Sequence, residues 1–115
     1  MKRVRMEKDY QVADRDIALT IVIGNAQIGI SCVKLGDTEL ARGDIAKKVI
    51  GNGRDLAGKT LAIKTVVADV NDLTNRTNVT YQLRGGTDDQ DYGLNAVVEE
   101  NGDSAIYYAT IHFKR

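Results

Sequence analysis

The feature that most constrains this chain is the alternation of apolar and polar residues at every second position. In segment 78–84, NVTYQLR, the residues Val79, Tyr81 and Leu83 alternate with polar neighbours. Successive side chains of a strand point to opposite faces of a sheet, so this pattern predicts a strand with one buried face. Comparable patterns predict five further strands, in segments 17–23, 28–35, 59–70, 93–100 and 104–113.

These strands, with turn residues at short intervals and no long helical pattern, predict an all-β fold. We expect an antiparallel β-sandwich of about seven to eight strands, immunoglobulin-like or C2-like. Segments 17–23 and 28–35 are expected to form a hairpin, and the last four segments to be successive antiparallel strands. Segment 44–50 is ambiguous: it fits a short helix with Asp44 as N-cap, which we slightly favour, or a strand.

A length of 115 residues allows one domain. We assign residues 16–115 to a single β-sandwich and residues 1–15 to a flexible or loosely paired N-terminal arm. The given chain begins with basic residues but has no apolar run behind them, so we expect no signal peptide. No apolar stretch approaches the roughly 18–20 residues that cross a bilayer, so we expect a soluble protein, whose compartment is undetermined.

The charge is balanced overall but uneven along the chain. The 16 basic and 16 acidic residues give no net field to recruit nucleic acid, so no nucleic-acid partner is expected. Residues 69–103, however, carry two basic and eight acidic residues, so a cationic ligand would bind there. The chain also lacks proline, a common protector of edge strands, so either Lys, Asp and β-bulges protect the edges or a partner chain covers one.

Segment 68–80, ADVNDLTNRTNVT, is the richest in side-chain oxygens, with three Asn and two Asp. In an up-and-down order of strands, its loop lies at the same end as residues 100–103. Calcium takes about six to eight oxygen ligands, which this end could supply. The candidate ligands are Asp69, Asn71, Asp72, Asn75 and Asp103, and a second acidic loop at the opposite end contains Asp88, Asp89 and Asp91. The alternative is that Asn and Asp only form turns here, as they often do between strands.

The string DVNDLTN also resembles the Asp-x-Asn-Asp-Asn calcium linker of cadherins. That resemblance implies carboxylate ligands at Asp69 and Asp72. The string departs from the linker pattern because Leu73 stands where the second Asn is expected and Asn75 comes two places later. The cadherin linker closes a domain, whereas 40 residues follow position 75 here. We therefore assign no family.

The residues that could support catalysis are few. Cys32 is the only cysteine, which excludes an intrachain disulfide and a zinc site built on several cysteines. His112 is the only histidine and could act on Ser31 or Cys32 only if both partners projected from the same part of a sheet. No nucleophile elbow or phosphate-binding loop accompanies them, so we expect no enzyme.

These observations predict a non-catalytic β-sandwich module for protein–protein interaction or structural assembly, without a cofactor, that self-associates through edge strands. The alternative is a calcium-dependent module that binds carbohydrate or lipid head groups through the Asp/Asn loop 69–78.

Overall fold

The computed structural model describes all of residues 1–115 and consists of two packed β-sheets. The nine strands are β1 (Lys2–Gln11), β2 (Asp16–Ile23), β3 (Ile28–Leu35), β4 (Thr38–Gly43), β5 (Lys48–Asn52), β6 (Thr60–Ala68), β7 (Arg76–Arg84), β8 (Gln90–Val97) and β9 (Ser104–Lys114). One helical turn, α1 (Gly53–Leu56), follows β5. The predicted all-β sandwich is confirmed, with nine strands instead of seven to eight.

The five-stranded sheet has the order β1-β9-β6-β3-β4, and the four-stranded sheet has the order β5-β2-β7-β8. All neighbouring strands are antiparallel except β1 and β9, which are parallel. Four strands therefore lie at sheet edges: β1, β4, β5 and β8. No helix of the structure has the length and apolar character that a membrane crossing requires.

The core lies between the sheets and follows the alternation in the sequence. In β7 the buried residues are Thr77, Val79, Tyr81 and Leu83, and the residues between them are half-buried. Strands β6 and β9 bury alternate residues in the same way. One connected hydrophobic cluster joins the two sheets, so burial of these faces is the main stabilising contribution.

The first residues of the chain, which we predicted to be a flexible or loosely paired arm, form β1 and pair with β9 over ten positions. Met6 and Tyr10 are buried in the core. The Tyr10 ring meets Phe113 edge-on, with 6.4 Å between ring centroids. The Tyr10 hydroxyl accepts a hydrogen bond of 2.9 Å from the Gly86 amide. This arm is thus an ordered edge strand that contributes to the core.

Segment 44–50 does not form the helix that we favoured. Lys47 has a φ of 48°, which is incompatible with a continuous right-handed helix. The chain then extends as β5 and pairs with β2, which buries Ile50. The helical turn comes later, where the Asn52 side chain caps α1 by accepting a hydrogen bond from the Arg54 amide.

The connection between β2 and β3 also differs from the prediction. The two strands belong to different sheets, so residues 24–27 cross the sandwich and do not form a hairpin. Of the last four strands, β7 pairs with β8 and β6 pairs with β9, while the connections β6–β7 and β8–β9 cross between sheets. Both of these crossings occur at one end of the sandwich.

Candidate functional site

The end of the sandwich that carries both crossings brings the predicted Asp/Asn loop against the loop before β9. The Asp69 amide donates to the Asp103 carbonyl over 2.9 Å, and the Gly102 amide donates to the Asp69 carbonyl over 2.9 Å. The Asn101 side chain donates to Asp72 Oδ1 over 2.7 Å. The inference that these two loops share one end of the fold is therefore supported by direct contacts.

The side chains in this cluster are largely occupied by hydrogen bonds within the loops. Asn71 accepts a hydrogen bond from the Leu73 amide, which is an Asx-turn, and donates to the Asn25 carbonyl. Asn75 is half-buried, and its backbone carbonyl, not its side chain, accepts a hydrogen bond from the Val98 amide. Asp103 accepts from the Ser104 amide and lies 3.9 Å from the amino terminus. These contacts are turn chemistry, which was the alternative to a metal site.

Asp69 is the exception, because its side chain is 1% exposed. Its Oδ1 accepts a hydrogen bond of 2.7 Å from Gln27 Nε2, whereas its Oδ2 has no hydrogen-bond partner. Gln27 was not among the residues singled out in the sequence. Its Oε1 accepts from the amides of Val70 and Asn71 over 2.7 and 2.9 Å. This one side chain therefore joins the 24–27 crossing to the Asp/Asn loop.

The second acidic loop lies at the opposite end of the sandwich. Arg84 forms an ion pair of 2.7 Å with Asp91 and approaches Asp89 at 3.7 Å. The hydrogen bond to Asp91 is the main cause that raises the pKa of Arg84. Asp88 is exposed. An arginine thus occupies the position between two of the three carboxylates, and across the chain no group of three or more His, Cys, Asp or Glu side chains has a geometry that could hold a metal.

The residues considered for nucleophilic catalysis lie apart. Ser31 is buried and hydrogen-bonds to Thr65 inside the sandwich. Cys32 lies on the outer face of the five-stranded sheet, where the register pairs it with Lys64 on β6 and Lys64 with Tyr108 on β9. His112 lies four residues further along β9, so it is not aligned with Cys32. His112 contacts Thr60 and Glu7. The hydrogen bond to Glu39 raises the pKa of the Cys32 thiol, which favours the protonated form over the nucleophilic thiolate.

Among the four edges, β8 combines a long regular pairing with the fewest charged residues for its length. β1 has six charged residues in ten, and β4 and β5 are short, with a register irregularity in each of the pairings β3–β4 and β2–β5. β8 pairs with β7 over eight positions without a bulge and carries one charge, Asp91. The signal in the sequence was segment 92–98, YGLNAVV, which has no charged residue and no proline.

The hydrogen-bond pattern shows which groups of this edge are free. The Val98 amide donates to the Asn75 carbonyl, which lies directly opposite in the register. Because hydrogen-bonded and non-bonded pairs alternate along antiparallel strands, the backbone N–H and C=O groups of the even-numbered residues of β8 point towards β7. The backbone N–H and C=O groups that point away from the sheet belong to Asp91, Gly93, Asn95 and Val97, all of which are exposed.

Comparison with known proteins does not identify a relative, because no family model, no curated protein and no solved structure matches the chain.

Proposed function

We propose that this protein is a non-catalytic assembly module that self-associates by pairing β8 with β8 of a second copy. The observation that carries the proposal is the regular and almost uncharged β8 edge, with free backbone groups at alternate residues. An exposed strand of this kind is a template for strand addition, in which main-chain hydrogen bonds provide affinity.

The charge and register of β8 favour a second copy, in antiparallel orientation, as the occupant. A two-fold axis at Leu94 places Gly93 opposite Asn95 of the second copy, so that the free groups of both strands face each other. Asp91 then lies opposite Val97 of the second copy, and the two Asp91 carboxylates are at opposite ends of the pairing. Like charges are thereby kept apart, which is required because directly opposed like charges destabilise a strand pair.

This arrangement also covers apolar side chains. Tyr92, Leu94 and Ala96 point inward from β8 and are half-buried, because the sandwich ends at this strand. Pairing about Leu94 extends the four-stranded sheet into a continuous eight-stranded one and packs these side chains against their symmetry equivalents. The interface is isologous, as in most soluble homodimers.

The test is light scattering coupled to size exclusion, over a range of protein concentrations, on the wild type and two variants. Asn95→Pro removes one outward N–H, and it leaves the β7 ladder intact because the N–H of Asn95 does not face β7. Asn95→Ala is the matched control that keeps the N–H. We expect a dimer for the wild type and the Ala variant and a monomer for the Pro variant, with unchanged circular dichroism in all three. A monomeric wild type at several hundred micromolar, or a Pro variant that dimerises like the wild type, would refute the proposal.

The alternative, a calcium-dependent module for carbohydrate or lipid head groups, has one observation in its favour. This is the buried Asp69 Oδ2, which has no hydrogen-bond partner. The internal bonding of Asn71, Asp72 and Asp103 weighs against it. The Tm in millimolar calcium compared with that in EDTA separates the two functions.

A further inference from the structure

A row of cationic side chains crosses the outer face of the five-stranded sheet. The register aligns Arg42 with Cys32, Cys32 with Lys64, Lys64 with Tyr108, and Tyr108 with Arg5. The row therefore includes one residue from each of the five strands, and three of these five residues are basic. None is acidic.

These residues line a surface cleft of about 400 Å³ that also includes Lys34, Ala62 and Thr110. Four basic side chains line the cleft, and one carboxylate, that of Glu39, contacts the lining by accepting hydrogen bonds from Arg42 and Cys32. Arg42 pairs with Glu39 over 2.7 Å, but Arg5, Lys34 and Lys64 form no ion pair in the structure. Because clefts focus the field of the charges that line them, this one attracts anions although the chain has no net charge.

Two of the four basic groups are held in place before any ligand binds. The Arg5 guanidinium lies 4.4 Å from the centroid of the Tyr108 ring, a cation–π contact. Arg42 donates to Glu39 Oε1 through Nε and Nη2 and to the Cys32 sulfur through Nη2. Fixed guanidinium groups lose less conformational entropy on binding and match the geometry of phosphate oxygens.

We propose that this cleft binds a compact, multiply charged oxyanion, such as the phosphoryl groups of a polyphosphorylated small molecule. The volume lies within the range of roughly 300–1,000 Å³ of small-molecule sites, and the three unpaired cations match a ligand with several negative charges. The exposed Ala62 contributes only a methyl group between the long basic side chains, which leaves room for the ligand. This inference is independent of the dimer, because β8 belongs to the other sheet.

The test is isothermal titration of the folded protein with inorganic tripolyphosphate, and with sodium sulfate at equal ionic strength. We expect one tripolyphosphate per chain and much weaker binding of sulfate. Lys64→Gln removes the central cation and should weaken tripolyphosphate binding about tenfold, since charge-assisted hydrogen bonds are the strong ones. Lys48→Gln, an exposed lysine on the four-stranded sheet, is the matched control and should bind like the wild type.

Cys32 provides a second measurement, because this sole cysteine lines the cleft. Tripolyphosphate should slow its alkylation by iodoacetamide in the wild type and much less in Lys64→Gln. The proposal would be overturned if the wild type and Lys64→Gln bound tripolyphosphate equally, or if Lys48→Gln lost as much affinity as Lys64→Gln. Binding of single-stranded DNA without binding of tripolyphosphate would also overturn it. Repeating the titration on Asn95→Pro separates anion binding from the proposed assembly function, since the cleft should bind tripolyphosphate equally in the monomer and in the dimer.

Discussion

The strongest test of how the loop end is organised is the removal of the Gln27 side chain. Gln27 is 8% exposed and donates to Asp69 Oδ1 and, over 3.0 Å, to the Arg76 carbonyl. It also accepts from two consecutive amides, those of Val70 and Asn71. Gln27→Ala therefore removes partners from a buried carboxylate, from the Thr74 and Arg76 carbonyls and from two N–H groups at once.

The magnitude follows from the burial of these groups. A buried polar group that loses its partner costs about 1–3 kcal/mol. The carboxylate of Asp69 bears the largest cost because its Oδ2 has no partner already. The other four groups are only partly buried, so water restores much of their bonding. We expect a total loss of about 3 kcal/mol, which corresponds to a decrease in Tm of roughly 10–15 °C for a domain of this size.

The assay is urea unfolding at pH 7, followed by circular dichroism, with Gln82→Ala as the control. Gln82 lies half-buried on the outer face of β7 and forms no side-chain hydrogen bond in the structure, so its loss should cost under about 0.5 kcal/mol. Gln27→Glu places a second carboxylate beside Asp69 and should destabilise the fold at pH 7 at least as much as Gln27→Ala, because like charges in close contact repel. A loss of less than about 1 kcal/mol in Gln27→Ala would refute the view that this side chain orders the loop.

The remaining predictions concern two core tyrosines and the calcium alternative. Burial raises the pKa of Tyr81 to about 12, and its hydroxyl lies near the Thr65 side chain without a hydrogen bond of normal geometry, so Tyr81→Phe should leave stability at pH 7 within about 0.5 kcal/mol or increase it. Tyr107→Phe should cost about 1–2 kcal/mol, since the Tyr107 hydroxyl bonds to Thr77. The pKa of Tyr81 in the folded state lies above the unfolded value near 10, so the contribution of its neutral hydroxyl to stability is fully present below pH 10 and is lost between pH 10 and 12. In urea unfolding at pH 11, Tyr81→Phe should therefore lose less stability than the wild type. Equal losses would contradict the raised pKa of Tyr81. Millimolar calcium should change the Tm by less than about 2 °C relative to EDTA. A ligand present at 100 times its Kd adds about 2.7 kcal/mol to the free energy of unfolding, which corresponds to a rise in Tm of roughly 10 °C. A rise of that size would establish the calcium-dependent alternative and make Asp69→Asn the next variant.

The sequence predicted the strands whose alternation is uninterrupted and missed three of the four edge strands, β1, β4 and β5. β7 alternates without exception, and the structure buries each of its predicted inward residues. In β1 the inward series Val4, Met6, Tyr10 is interrupted by Lys8, which is exposed although it has the inward register. A charge at such a position protects an edge strand from pairing with another chain. It also interrupts the apolar–polar alternation by which a strand is recognised in the sequence. Val4, Met6 and Tyr10 were nevertheless a detectable signal.

The loop end could be predicted in part from strand direction alone. Counting strands placed the Asp69 and Asp103 loops together, which the backbone hydrogen bonds between them support. Gln27 could not be predicted, because it lies 42 residues from Asp69 in the sequence and reaches it only through a crossing between sheets. The cationic row was equally hidden, since it requires the register of four strand pairings, one of them parallel.

The two proposed surfaces use different sheets, and this has a thermodynamic consequence. β1 and β8 lie side by side at one flank of the sandwich, but their outward faces point in opposite directions. A second copy added to β8 extends the four-stranded sheet, while the cleft around Lys64 lies on the outer face of the other sheet. Neither event changes the contacts of the other, so no coupling free energy between them is expected. A dimer should therefore bind two anions with one affinity, equal to that of the Asn95→Pro monomer. A difference in affinity between the two states would show that pairing at β8 changes the position of β1, and with it Arg5.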